Sequence, residues 1–443
     1  MARIYPFSAL RYNPAKVRLD DAVTQPYDKI NPSLQQAYYQ RSPYNLVRII
    51  LGLRELFDND GNNVYTRAGD DFRQWRRQGV LLPDSEPSLY AYSQTAAVPG
   101  RPGHLQERRG FIALSDAVEY SEGIVFRHEK TLAKPKSDRL DLLRATRAHF
   151  GQIFMLYSDP AHTAEKLLFG AGNPPEVEVT DDYSVVHRLW RISEPPVINM
   201  VTAAMADKKL IIADGHHRYE TALAYANERR PADAAPRVSR GVYQAPAYPE
   251  AAVMMTFINM DSPGLTILPT HRVVHGLTDF SEEKFLTKAR EYFDVTPLRA
   301  DAIPSQSLSL DAPERSACSR FFVATAQASY LLTSHTSKIA AALPNLSDRQ
   351  RKLDVAQLHG ILLEQVLGLS QESIAQQTNL RYVRDPEEAI AMVRDGQAQI
   401  AFLLQPVSLD QLRDIALAGE VMPQKSTDFY PKLLSGLTIY ALD

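Results

Sequence analysis

Five consecutive residues, Asp214, Gly215, His216, His217 and Arg218, stand between the apolar run Leu210, Ile211, Ile212, Ala213 and a second apolar set, Tyr219, Ala222, Leu223 and Ala226. The second set has the i, i+3, i+4, i+7 spacing of a helix face, so the segment predicts a strand, a tight turn at Gly215 and a helix. A helix N-terminus turns free N–H groups and the positive end of its dipole toward whatever lies above the strand. His216, His217 and Arg218 add side-chain donors there, and the ligand such a turn suits is a phosphate. The plainer alternative makes Asp214 a helix cap and the histidines core hydrogen-bond partners; three adjacent donors after a glycine favour phosphate. Zinc bound by these histidines with His128 or His271 is a further alternative, although paired metal-binding histidines usually sit one helical turn apart. No metal ligand set is assigned.

A second group, His128, Glu129, Lys130 and Thr131 with Lys136, Asp138, Arg139 and Arg144, mixes both charge signs and a hydroxyl around a proline-containing loop. Glu129 among basic groups suits general-base chemistry, with His128 beside it. On spacing alone a solvated loop is preferred, whose surface ion pairs contribute ~0 to 1 kcal/mol. A third group, Lys425, Ser426 and Thr427, can hold phosphate oxygens, but it lacks the preceding glycines and the strand-loop-helix frame of a phosphate loop. Asp28, after Pro26 and Tyr27, and His271 with Arg272, after Pro269, are short polar groups beside a proline that restricts the backbone. Either is equally readable as a turn.

The elements that position these residues follow from periodicity and from Gly and Pro. Residues 2–52 read as loops ending in one buried strand over 44–52, with Leu46, Arg48 and Ile50 on one face. A helix is predicted over 64–79 and a strand over 89–93. A hairpin loop over 99–103 and a strand over 110–115 follow. A helix over 137–149 has Ser137 as N-cap and Asp138 in its first turn. Strands 153–157, 185–192 and 209–213 then alternate with helices 163–168 and 196–205, and 253–260 is a strongly apolar strand. Beyond it come a proline-containing loop over 266–271, a helix near 280–293, a hairpin over 321–334, helices 354–367 and 386–394, a strand 399–404 and a polar tail 419–432. Residues 229–247 and 300–314 read as surface loops. Such alternation predicts an α+β, mixed α/β fold, divided as an N-terminal region 1–120, a central core 121–275 and a C-terminal region 276–443.

Composition bounds the function. Of 443 residues, 44% are hydrophobic and 23% charged, the balance of a globular chain. The formal net charge of -3 provides no general positive field, so no nucleic-acid partner is expected and any anion site must be local. Cys318 is the only cysteine, which excludes an intrachain disulfide and fits a reducing compartment. No leader-like N-terminus and no membrane-length apolar run is seen, so a cytoplasmic location without membrane contact is expected.

Taken together, the boxes Pro26-Tyr27-Asp28, His128-Glu129-x-Thr131, the ten residues from Ala213 to Ala222, and Met422-Pro423-x-Lys425-Ser426-Thr427 resemble a large bacterial and archaeal family without an assigned function. The turn box is similar to that of the ParB/sulfiredoxin superfamily, and most like that of free-serine kinases. The resemblance implies a ParB/sulfiredoxin-like nucleotide-binding core with additional N- and C-terminal α/β elements. It also implies ATP with Mg²⁺ as cofactors and transfer of a phosphoryl group to a small hydroxylated metabolite, free L-serine first. Asp214, Gly215, His216, His217 and Arg218, with Lys136 and Arg139, would then hold the nucleotide. Glu129 would match the glutamate that deprotonates the acceptor, with His128 as its catalytic neighbour. Asp28, Thr131, His271, Arg272, Lys425, Ser426 and Thr427 are the expected substrate or phosphate contacts. The alternatives are a non-catalytic nucleotide switch of ParB type and a His-coordinated metal hydrolase. The chain is far longer than a minimal ParB-like domain.

Overall fold

The computed structural model describes residues 2–99, 103–129, 133–232, 234, 237–238, 243–299 and 318–443. Two compact units are built from interleaved segments. The first comprises Met1–Phe126, Thr131–Leu265 and Pro431–Asp443, the second Arg127–Lys130 and Thr266–Tyr430.

The first unit is organised on a mixed sheet of nine described strands. Their order is Val125–Phe126, Leu210–Asp214, Ile153–Tyr157, Ala252–Asn259, Leu105–Asp116, Leu89–Ala97, Val186–Ile192 and Val177–Thr180, and Ile4–Tyr5 also pairs with Leu105–Asp116. Leu210–Asp214 runs parallel to Val125–Phe126 and Ala252–Asn259 parallel to Ile153–Tyr157, while the other pairings are antiparallel. Every residue of Ala252–Asn259 is buried, as expected of a strand covered on both faces. One core contains Phe111, Ile153, Met155, Ile212, Met255 and Phe257 with helix residues Ile198, Val201 and Tyr219. Another gathers Leu10, Leu46, Phe72, Trp75 and Phe150. Phe72 and Trp75 come from the Val64–Arg77 helix, which opens with a capping box between Asn63 and Thr66.

Two expectations for this unit are corrected. The strand expected over 44–52 is instead a short helix, Val47–Ile50, because Leu46, Val47, Ile49 and Ile50 are all buried and carry no alternation. Asn45 Oδ1 accepts from the Val47 N–H at 3.0 Å and initiates the turn. The helix expected from Ser137 runs from Ala133 to Thr146, so Ser137 is interior and Pro135 occupies the first turn, where its missing N–H does no harm. Arg147, at φ 50°, ends that helix, and Ala148–His149 pairs with Tyr440–Ala441.

The second unit holds an antiparallel sheet in the order Phe293–Leu298, Ser329–Ser334, Arg320–Thr325, Ile400–Leu403, His271–Val274, Leu380–Val383. The Pro386–Arg394 helix packs Ala389, Met392 and Val393 against Val273, Ala401 and Leu403. The predicted loop over 266–271 is corrected: Thr266–Leu268 pairs with Asp428–Tyr430, and His271 opens a sheet strand. Pro269, lacking a donor, sits at the break between the two strands. The helix expected near 280–293 is Glu282–Ala289, capped by Ser281, and Phe293 already begins a strand. The loop expected over 300–314 lies outside the described residues, as do 233, 235–236 and 239–242 of the loop expected over 229–247. Among the described residues no helix is long and apolar enough to cross a membrane.

Candidate functional site

In the first unit the predicted strand, turn and helix are present as Leu210–Asp214, Gly215 and His216–Arg229. The register of Leu210–Asp214 against Ile153–Tyr157 shifts between Ile212 and Asp214. This bulge re-aims the strand end. Gly215 is the helix N-cap at φ 95°, ψ 25°, a left-handed conformation that an L side chain adopts only under strain. Its carbonyl accepts the first helical bond from the Tyr219 N–H at 2.9 Å. Tyr219, Ala222, Leu223 and Ala226 are all buried, as their spacing predicted.

The turn is rich in charge. Asp214 Oδ1 accepts from the Gly215 N–H at 2.9 Å, and Lys432 Nζ donates to Asp214 Oδ2 at 3.3 Å. Burial would raise the Asp214 pKa. The positive charges of Lys432, Arg218, Lys29 and His216 outweigh that and hold it well below the usual carboxylate range. Arg218 donates to the carbonyl of Gln152. Gln152 itself is 1% exposed, and its side-chain amide has no hydrogen-bond partner among the described residues. A cavity of about 80 Å³, lined by Tyr27, Arg139, Leu142, Phe150 and Arg218 among others, adjoins this turn. The Arg139 guanidinium lies 4.2 Å from the centre of the Tyr27 ring and donates to the Ile50 carbonyl at 2.6 Å. Tyr27 and Asp28 belong to one 3₁₀ turn, Tyr27–Lys29, so this box, Arg139 and the 214–218 turn gather in one region of the unit. Lys136 pairs with Glu220 on the same helix as His216.

Of the remaining site candidates, His128, Glu129, His271, Arg272, Lys425, Ser426 and Thr427 belong to the second unit and form a different arrangement. Glu129 Oε1 accepts from the backbone N–H groups of Ser426 at 3.0 Å and Thr427 at 3.1 Å, and from the Thr427 hydroxyl at 3.2 Å. His128, fully buried, has Nε2 2.8 Å from the same hydroxyl. Arg272, also fully buried, donates to the carbonyls of Lys425 at 3.1 Å and Gln424 at 3.3 Å and to His359 Nε2 at 3.3 Å. Burial lowers the Arg272 pKa to about 10. Residues 424–427 are thus held by two side chains, the amides of Ser426 and Thr427 by Glu129 and the carbonyls of Gln424 and Lys425 by Arg272. Lys425 is exposed at the apex with φ 58°, a left-handed position that non-glycine residues hold only when the surroundings impose it. His271 is buried, and its Nδ1 accepts from the Leu404 N–H at 3.4 Å. Thr131 lies outside the described residues. Among the described residues no group of three or more His, Cys, Asp or Glu is arranged to hold a metal ion.

Sequence reasoning missed Lys432 and Lys29 as neighbours of Asp214. The signal for Lys29 was its place directly after the Pro26-Tyr27-Asp28 box; Lys432 closes the polar segment that begins at Val421, but nothing local links it to Asp214, 218 positions away.

Residues 4–356 match the family described as protein of unknown function DUF1015. The chain belongs to this family. The match ends before Lys425, Ser426 and Thr427. No protein of curated function matches the chain. Among solved structures, a free serine kinase in complex with ADP aligns at 10% identity and TM-score 0.36, covering 72% of this chain and 87% of that one. A conserved hypothetical protein from Pyrococcus furiosus aligns at 10% identity and TM-score 0.33, covering 73% and 92%. SbnI with a C-terminal truncation, from Staphylococcus aureus, aligns at 9% identity and TM-score 0.36, covering 74% and 87%. Superpositions this loose transfer neither a residue nor a ligand to this chain of the DUF1015 family.

Proposed function

We propose that this DUF1015 chain is a nucleotide-dependent phosphotransferase that moves the terminal phosphoryl group of ATP to the hydroxyl of a small metabolite. The observation that carries the reading is the gathering of basic side chains at one helix N-terminus, where Lys432 Nζ lies 3.3 Å from Asp214 Oδ2 and Arg218 donates to the Gln152 carbonyl. The Gly215 turn lies beside it, as does the Gln152 amide, which has no hydrogen-bond partner among the described residues. Phosphoryl transfer asks chiefly for positioning and for neutralised phosphate charge, and these residues are suited to both. In this reading Gly215, His216, His217 and Arg218 hold phosphate oxygens, and Arg139 with Tyr27 borders the same nucleotide. Asp214, kept ionised, orients these donors through the Gly215 N–H and the Lys432 ammonium, and Mg²⁺, which would neutralise charge between phosphate groups, is proposed to come with the nucleotide. The likeness of the turn box to that of free-serine kinases makes free L-serine the first acceptor to test, and a ParB/sulfiredoxin-like core is part of the same proposal.

By the resemblance alone, Glu129 is the residue whose role as general base is to be tested. Glu129→Gln should then abolish turnover with nucleotide affinity kept, whereas Arg218→Ala should weaken nucleotide binding about tenfold or more. Isothermal titration with ATP alongside ADP-release assays over free amino acids and polyols measures both, and equal loss of affinity in the two variants would sink the assignment.

A second reading, a non-catalytic nucleotide switch, is favoured by one observation: Glu129 Oε1 already accepts three hydrogen bonds from Ser426 and Thr427. ATP binding without turnover on any acceptor would decide for the switch.

A further inference from the structure

The charge at Asp214 depends on a lysine whose placement is unusual. Lys432 is 10% exposed in its side chain and reaches Asp214 from the segment Pro431–Asp443. A lysine stem has many rotamers to lose, so an ammonium held at one carboxylate oxygen needs a backbone that does not move. The backbone on either side of that stem is held by side chains of the sheet. Arg108 donates to the Pro431 carbonyl at 2.6 Å, and Gln94 Nε2 donates to the Lys432 carbonyl at 2.7 Å. Arg108 also donates to Gln94 Oε1, which fixes which way the Gln94 amide faces.

Behind Gln94 the network continues through buried groups. Gln94 Nε2 lies 3.5 Å from His187 Nδ1, and the Tyr92 hydroxyl lies 2.7 Å from the same nitrogen. His187 Nε2 is 3.2 Å from Asp181 Oδ2, which also accepts from Gln25 at 2.7 Å. Asp181 is held ionised chiefly by His187 against the opposing effect of burial. A carboxylate at Nε2 assigns the proton to that nitrogen and leaves Nδ1 to accept, so donor and acceptor directions are set along the whole chain. Arg108, Gln94, Tyr92 and His187 are each 1% exposed or less. Buried polar chains of this kind specify one geometry more than they add stability.

We infer that Arg108 and Gln94, oriented by His187 and Asp181, are positioning residues that set the Lys432 ammonium at Asp214 and thereby the affinity of the site for phosphate. The affinity part rests on the phosphotransferase reading; the positioning part does not. The test uses the full chain with Arg108→Met, and Gln94→Met as the second variant should the first not fold. Each is combined with Lys432→Ala and with Arg218→Ala, and ATP affinity is measured by titration calorimetry. Arg108→Met should weaken ATP about tenfold in the parent and in Arg218→Ala, but less than about twofold in Lys432→Ala. The same loss in all three backgrounds would mean a general structural effect and would overturn the inference, as would no loss at all. A second readout needs no nucleotide: the rate at which an acylating reagent modifies Lys432, followed by peptide mass spectrometry. That rate should rise several-fold in either variant, with Lys166, exposed on the Thr163–Phe169 helix, unchanged, and an unaltered Lys432 rate refutes positioning. Should the parent bind no ATP, ADP or inorganic phosphate, the phosphate reading fails while Lys432 reactivity still decides the positioning.

Discussion

A Cβ at position 215 would stand 3.1 Å from Cζ of Arg218, with the backbone at φ 95°. Gly215→Ala therefore meets two penalties: a left-handed conformation costing about 1–2 kcal/mol and a small displacement of the Arg218 guanidinium. The expected result is a lowered melting temperature together with weaker ATP binding; a variant that binds ATP as well as the parent would separate Arg218 from the phosphate. Glu129 is the other informative residue. Its Oε1 holds the amides of Ser426 and Thr427, and because a glutamine would keep one carbonyl oxygen there, Glu129→Ala is the variant that removes their acceptor. Faster hydrogen exchange at those two amides is expected whatever happens to turnover, and unchanged exchange would contradict the clamp.

At the scale of elements, a site can be no firmer than the strand, turn and helix that present it. The bulge before Asp214 and the glycine after it turn a strand that is buried up to Ala213 into one whose last side chain faces cations. Elsewhere in the same unit, the Val64–Arg77 helix carries Phe72 and Trp75 into the core and begins at the Asn63 cap. Asn63→Ala removes a side chain that accepts from two helix N–H groups and should cost about 1 kcal/mol, read as a shift in urea midpoint. No shift would mean that packing alone fixes that end.

For the molecule as a whole, pH is the sharpest probe because buried histidines occur in both units. Burial, aided by Arg272, lowers the His271 pKa to about 4, and burial lowers His149 to about 4. These groups are neutral when folded, whereas the unfolded chain takes up their protons near pH ~6.5. Their contribution is fully present above about pH 6.5 and is lost as pH falls toward 4, since the unfolded state then binds more protons. For His271, 1% exposed, the loss approaches ~3 kcal/mol near pH 4, and about 2 kcal/mol of it has gone by pH 5. Urea denaturation at pH 7.5 and pH 5 should show it, and His271→Phe should flatten the difference; a profile level between those values would contradict neutral burial. The net charge of -3 belongs to this scale too. Duplex DNA should show no salt-dependent binding, and a steep salt slope would point to a nucleic-acid function.

The local features were legible in the amino-acid sequence. Apolar spacing and one glycine sufficed for the turn at Gly215, and the same reasoning located the Pro386–Arg394 helix and the hairpin formed by Arg320–Thr325 and Ser329–Ser334. Where burial surrounds a short segment on every side, as at Val47–Ile50, the apolar run has no period and helix cannot be told from strand. The partners of the reactive groups are a matter of tertiary structure alone. Lys432 meets Asp214 across 218 residues and Glu129 meets Ser426 across 297. Periodicity records only which face of an element is buried, over a few turns of chain. Which distant charge arrives at that face is decided by how the chain returns, as the segment Pro431–Asp443 returns to the first unit.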